Sequence, residues 1–309
     1  MQTVGKYITN DDCECAVMVD PERETYTNFY TGECGFLQQE QMEEEAGTVA
    51  TEDAEKIMWI NETAQQKFIT ARDRIADYCE KRHLTRADIK RFGLGYSVNL
   101  EGVISREDLL LAGLAKEDEK GFRMMFRNRM MFPIRNTDGR IIAFGGRRMD
   151  GEKICKYMNT GETEAFRKRE TLYMYQEACK ADCRAYILCE GYMDVIAMHK
   201  AGFINTVASL GTSLTQEQVR MLETKPNIYI MYDSDEAGIK AAKRAILMFK
   251  RHTVKVVTLR ESKDPDEFFA KHTKEDMVEC LRAATDAKDF IRKTYQTGDD
   301  PELVKYLLI

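Results

Sequence analysis

Residues 185–194, AYILCEGYMD, carry the reading from which the rest of the chain can be organised. The apolar run Tyr186, Ile187, Leu188, Cys189 is too short for a free-standing helix and suits a strand covered on both faces. Glu190 stands at the carboxyl end of that strand. Gly191 lets the chain turn sharply with no side chain in the way, and Asp194 falls at the head of the helix that follows. Two acids on either side of one turn point into the same crevice.

The pattern repeats along the chain. Residues 205–210 (NTVASL) form a second strand before Gly211-Thr212-Ser213, and residues 228–232 (IYIMY) a third before Asp233-Ser234-Asp235. Residues 254–259 (VKVVTL) form a fourth, ahead of Ser262-Lys263-Asp264-Pro265-Asp266-Glu267. Helical patterns fill the gaps at 195–201, after Thr215 with Gln218 placed for a capping box, and at 239–251. Strand–helix alternation at this spacing means a parallel α/β sheet flanked by helices. Ligands of such sheets sit beyond the carboxyl ends of the strands.

Three of these four strand ends carry paired acids: Glu190/Asp194, Asp233/Asp235 and Asp264/Asp266. Carboxylates gathered in one crevice raise each other's pKa unless a cation sits among them. Oxygen ligands with no nearby His or Cys favour Mg2+ or Mn2+, two or more ions in all, which leave coordination sites for phosphate oxygens. Such ions neutralise a phosphoryl group in transfer. A single Asp at a strand end is usually a helix cap, but caps do not need pairs.

Residues 122–148, FRMMFRNRMMFPIRNTDGRIIAFGGRR, are the second informative stretch. Arg123, Arg127, Arg129, Arg135, Arg140, Arg147 and Arg148 stand against one acid, Asp138. The Asp138-Gly139 turn joins strands at 130–135 and 140–145 into a hairpin. A stripe of arginines on a small antiparallel sheet is an electrostatic footprint for phosphates.

The words EGYMD, GTSLT, DSDEAG and KDPDE, in that order, resemble the Toprim domain of bacterial replicative primases of the DnaG type. Toprim domains also occur in topoisomerases, nucleases and recombination proteins. The longer phrases EGYMDVIAMHKAGF and DSDEAGIKAAKRA are closer to primases, and LTRADIKRFGLGY and RNRMMFPIRNTDGRIIAFGGR are similar to the start of the primase core. The resemblance spans residues 57–290. It implies a DNA-dependent RNA polymerase, a nucleotidyltransferase that makes RNA primers on single-stranded DNA from ribonucleoside triphosphates during DNA replication. On that reading Glu190, Asp233 and Asp235 are the catalytic metal-site residues. Asp194, Asp264 and Asp266 hold a second ion or water-bridged positions. The family's K-Y-x-N and F-x-K segments flank the cleft, which extends nucleotide or template binding to Lys156, Tyr157 and Lys168. Arg127, Asn128, Arg129 and Arg147 are the expected contacts on the basic side.

Composition bounds this reading. The chain has 309 residues, room for two or three domains. Residues 1–55 form a poorly defined segment with an acidic linker, 56–180 a basic α+β subdomain, 181–272 the Toprim domain and 273–309 a short helical segment. No apolar run reaches membrane-spanning length, and nine irregularly spaced cysteines fit reduced thiols in a cytoplasmic protein. Cys13, Cys15 and Cys34 have no fourth ligand nearby, so no zinc is expected. The run VDPERETYTNFYTGECG resembles the strands of the family's zinc module without its ligands. The tail is shorter than the family's helical subdomain, and no helicase-binding region follows, as expected of a fragment or of a reduced phage or mobile-element relative. Two other functions fit the same residues: a Toprim nuclease using the same metals, and a non-catalytic nucleotide-binding or DNA-binding relative.

Overall fold

The computed structural model describes the chain from Thr51 onward, apart from residues 152–154, 212, 250–251, 297–298 and 309, and before it the backbone of four short strands. Met1–Thr51 and Glu52–Ile309 are separate compact units. In the first, β1 (Lys6–Ile8), β2 (Val17–Asp20), β3 (Thr25–Asn28) and β4 (Cys34–Phe36) pair antiparallel in sequence order. Cys13, Cys15 and the acids Glu40, Glu43, Glu44 and Glu45 lie outside the described residues, as does the side chain of Cys34.

The second unit begins with α1 (Glu52–Thr70), α2 (Ala76–Lys81), α3 (Arg86–Arg91), β5 (Gly95–Tyr96) and α4 (Arg106–Leu111). The small hairpin β6 (Ala115–Asp118) and β7 (Gly121–Met124) follows, then β8 (Arg129–Arg135), β9 (Ile141–Arg148) and β10 (Tyr157–Asn159). Strands β10, β9, β8 and β5 make an antiparallel sheet in that order. The amphipathic stripe of α1 explains its docking: Ile57, Ile60, Ala64 and Phe68 bury against Met131, Ile141 and Phe144 on one sheet face. Phe68 meets Phe144 edge to face at 5.1 Å.

The chain continues through β11 (Leu172–Tyr173), α5 (Tyr175–Ala178), β12 (Ala185–Cys189), α6 (Tyr192–Lys200), β13 (Thr206–Ser209), α7 (Gln216–Leu222) and β14 (Asn227–Ile230). Next come α8 (Glu236–Met248), β15 (Thr253–Val256), α9 (Pro265–Phe268), α10 (Lys274–Arg282), β16 (Thr285–Asp286), α11 (Ala287–Thr294) and α12 (Glu302–Leu308). Strands β13, β12, β14 and β15 are parallel neighbours, and the two-residue strands β11 and β16 add antiparallel edges. The expected parallel sheet is therefore the centre of a mixed one. Edge strands this short carry no alternation to read.

Alternation along β12 sends Tyr186 and Leu188 to one face and Ile187 and Cys189 to the other, and both faces are buried. The expected strands at 228–232 and 254–259 end early, at Ile230 and Val256. Met231 and Val257 stay buried and bond back to Leu188 and Ile230, because apolarity reports burial and burial outlasts the ladder. Helix α6 lies between the two sheets: Tyr192, Met193 and Ile196 pack with Phe132 and Ile134 of β8 in one core. Gly145 of β9 is required here, since a Cβ would stand 2.4 Å from the Tyr192 ring. This contact sets the strand ends of the parallel sheet against a face of the antiparallel one.

Candidate active site

The acidic wall is built by strand ends. Glu190 leaves β12 and its Oε1 accepts the Asp233 backbone N–H at 3.1 Å, so the two acids face each other across neighbouring strands. Asp194 sits in the first turn of α6, buried, and accepts the Gly191 N–H at 3.0 Å. Asp235 caps α8 by accepting the Gly238 N–H at 2.8 Å, and Asp264 caps α9 by accepting the Glu267 N–H at 2.7 Å. The two functions coexist, because a capping carboxylate is held at the strand end where a ligand would meet it. Gly238 allows this turn: a Cβ there would fall 2.0 Å from the Asp233 carbonyl oxygen.

These acids burden one another. Burial, and then Glu190, Asp264 and Asp235, push the Asp233 carboxyl up to about 6. Burial, and then Asp264, Asp233 and Asp266, hold Asp194 well above the usual carboxylate range. Glu190 is raised too, first by burial, with Asp235 adding to it and the Asp233 N–H opposing. An oxygen-only donor set crowded to this degree fits hard divalent cations, which relieve the repulsion. Among the described residues, no group of three His, Cys, Asp or Glu side chains forms a ready-made cage for a metal.

The opposite wall is basic. A cleft of about 340 Å3 is lined on one side by Glu190, Asp194, Asp233, Asp264 and Asp266, and on the other by Arg147, Lys156, Tyr157 and Lys168. Burial, and then Arg147, Lys263 and Arg82, push the Lys156 ammonium below its ordinary value. The Arg147 guanidinium lies 4.4 Å over the Tyr78 ring, bonds its hydroxyl, and reaches the Tyr157 hydroxyl at 3.3 Å. Crowded cations facing crowded acids leave a gap suited to an anion bridged by cations. A brace crosses it: Tyr192 donates to Asn159 at 2.6 Å, and Asn159 donates to the Leu210 carbonyl at 2.8 Å.

Several expected contacts lie elsewhere. Arg129 is buried, and its guanidinium donates to the carbonyls of Gly146, Cys155 and Lys156. It holds the loop that carries Lys156 and does not line the cleft, a correction to its expected contact role. Arg127 and Asn128 also lie off the cleft; both are exposed, Asn128 accepting from the Tyr96 hydroxyl at 3.1 Å. The arginine stripe is better compensated than the local sequence implies. Arg123 pairs with Asp118, Arg135 with Glu62, Arg140 with Glu55 and Arg148 with Asp150. Arg82 and Lys263 were missed as lining residues. Arg82 reaches Asp266 from 184 positions away and ion-pairs with it, which no local pattern announces.

Residues 63–179 match the model of the DNA primase catalytic core N-terminal domain, and residues 187–269 match a Toprim-like model. A DNA primase domain from Pseudomonas aeruginosa superposes with a TM-score of 0.71 and 31% identity, covering 77% of this chain and 82% of that one. The chain belongs to the DnaG primase catalytic-core family. A DnaG primase catalytic domain solved bound to single-stranded DNA aligns with a TM-score of 0.72 at 29% identity, over 78% of this chain and 83% of that one. The DNA primase of Clostridium acetobutylicum is 33% identical over 277 residues, 83% of this chain and 46% of its own length. The chain spans about half the length of the curated relatives it matches. Among the described residues no helix is long and apolar enough to cross a membrane.

Proposed function

We propose that this chain is the polymerising core of a primase, joining ribonucleoside triphosphates on a single-stranded DNA template. The observation that carries the reading is one cleft with Glu190 bonded to the Asp233 turn on one wall and Arg147, Lys156 and Lys168 on the other. In the reaction, the acceptor's 3′-oxygen bonds to the α-phosphorus and its proton passes to water. The bond from that phosphorus to the bridging oxygen breaks, and pyrophosphate leaves. Bound Mg2+ or Mn2+ would lower the charge on the phosphoryl group and on the attacking oxygen. Glu190, Asp233 and Asp235 would hold the first ion, and Asp194 with Asp264 a second or its water shell. Asp266, tied to Arg82, orients that basic residue.

Lys156, Lys168 and Arg147 bind and orient the triphosphate, and Tyr157 supports Arg147 beneath it. Arg127, with Asn128, lies on the exposed path where template phosphates pass. The catalytic unit runs over residues 56–272, basic subdomain then Toprim domain, in a cytoplasmic replication protein; a replicative helicase would engage a region outside this chain. The test is primer synthesis on single-stranded DNA with Mg2+ or Mn2+, with wild type compared to Asp233→Ala. Equal product from both overturns the assignment, and nicking of DNA without added nucleotides would replace it with a nuclease.

A further inference from the structure

Lys168 stands on a segment with little structure of its own. Lys168–Glu170 form a single 3-10 turn between Phe166, which is buried, and the two-residue strand β11. A turn this short does not hold a direction by itself, and Arg167 before it provides no side-chain cap. The first turn of α7 holds it instead. Gln218, fully buried, donates from Nε2 to the Lys168 carbonyl at 3.2 Å and to the Thr171 carbonyl at 2.8 Å. Its Oε1 accepts the Thr215 N–H at 3.2 Å. Thr215, the last residue of the word GTSLT, accepts the Gln218 N–H at 3.2 Å and donates its hydroxyl to the Arg169 carbonyl at 2.5 Å. The Lys168 N–H itself donates to Glu162 at 3.0 Å.

We propose that Gln218 is the positioning residue of Lys168, and that with Thr215 it aims the Lys168 ammonium at the triphosphate. The inference rests on the polymerase reading above, in which Lys168 binds that triphosphate. A capping box needs only the side-chain oxygen at the Gln218 position, and a glutamate would serve it equally. The amide nitrogen is what a glutamate lacks, and both of its hydrogens go to carbonyls of the Lys168 segment. Lys168 lines the cleft opposite Glu190 and Asp194. Burial pushes its ammonium below the ordinary value, with Glu162 opposing. A long side chain keeps much of its freedom, so the fixed backbone at its root decides where its charge can reach. The neighbouring cation is held in the same way, since Arg129 donates to the Cys155 and Lys156 carbonyls. Gln218 and Arg129 are both buried, and neither lines the cleft. Each lysine of the basic wall is thus aimed by a donor behind it.

Two double-mutant cycles test this, read by calorimetric binding of α,β-methylene ATP with Mg2+ and by the ATP KM for primer synthesis on oligo-dT. Gln218→Met keeps the side-chain volume and removes both donors. It is expected to raise the analogue Kd and the ATP KM about fivefold and to leave kcat within about twofold. Thr215→Val, which loses only the hydroxyl, is expected to raise both about threefold. In a Lys168→Ala background Gln218→Met should change the Kd by less than about twofold, because no ammonium is left to aim. In a Lys156→Ala background the rise of about fivefold returns in full. A residue that only supports the fold would weaken binding equally in both backgrounds, and that result overturns the assignment. So does a Kd unchanged in both Gln218→Met and Thr215→Val. Where Gln218→Met does not fold, Thr215→Val carried through the same two backgrounds decides. Primer synthesis by the wild type with uncoupled cycles overturns this assignment alone, whereas a wild type that makes no primer overturns the polymerase reading and this assignment with it.

Discussion

On the parallel-sheet side of the cleft, Glu190 and Asp194 lie within five positions of each other, and Asp233 and Asp235 within three. On the antiparallel side, the basic groups come from the residue after α2, from β9, from the loop before β10 and from the segment before β11, and one arginine of the stripe is buried behind them. Glu190, Asp194 and Asp233 gather with no ion pair among the described residues, raised by burial and by one another, while Asp264 and Asp266 beside them meet Lys263 and Arg82. Most of the arginines are matched: Arg135 and Arg140 meet acids of α1, Arg123 and Arg148 meet acids a few positions away, and Arg129 meets carbonyls. A protein keeps unrelieved like charges together where a ligand relieves them, and neutralises the rest. The difference separates charge that serves chemistry from charge that serves the fold.

The sharpest break of this contrast lies in Asp233. Asp233→Asn is expected to lower primer synthesis at least about a thousandfold. The same change raises thermal stability in metal-free buffer, since it removes one of the crowded charges; a fall in both would make Asp233 a structural residue like Arg129. Next in size is Gly238→Ala. Backbone sits where the new Cβ must go, so the Asp233 turn has to move, with about a hundredfold loss of synthesis and a lower melting temperature by calorimetry.

On the basic side, Arg129→Ala should cost about 2–3 kcal/mol in denaturant unfolding, because it leaves buried carbonyls unpaired. Arg127→Ala should leave that unfolding curve in place and flatten the salt dependence of DNA binding by about one unit of slope. Matching effects of the two would erase the division between fold and template. Lys156→Ala is smaller again: about a tenfold rise in triphosphate KM, with an unchanged melting temperature.

These predictions divide along the line of what could be read without coordinates. The strand ends, the acids and the helix capped by Thr215 were legible because each rests on neighbours within a few positions. So was the basic hairpin as an element. The pairing of its arginines was not, since Arg140 finds Glu55 across 85 residues and Arg129 turns inward only once β10 and its loop are in place. The roles of Gly145 and Gly238, which admit Tyr192 and the Asp233 carbonyl, show only once the chain is packed. Local chemistry shows in local sequence; compensation between distant segments does not.

The smallest effect tests the packing that joins the walls. His199 of α6 is buried, with Nε2 2.7 Å from the Thr206 carbonyl, and burial holds its pKa below 6.5. Arg91 adds to the lowering and the Thr206 carbonyl opposes it. The unfolded chain therefore takes up the proton first as pH falls. Its contribution to stability is complete above pH 6.5 and is lost as pH drops from there through the lower folded value. His199→Gln should flatten that part of a stability–pH curve, and an unaltered curve would remove His199 from the account.

The central claim is that Glu190 and Asp233 meet around a divalent ion opposite the basic wall. A crystal of the chain soaked in Mn2+ and measured for anomalous scattering tests it directly. The account predicts a peak about 2 Å from carboxylate oxygens of both residues, inside the cleft lined by Lys156 and Arg147. Saturating Mn2+ with no peak between those two acids, or a peak only at sites away from them, would contradict it.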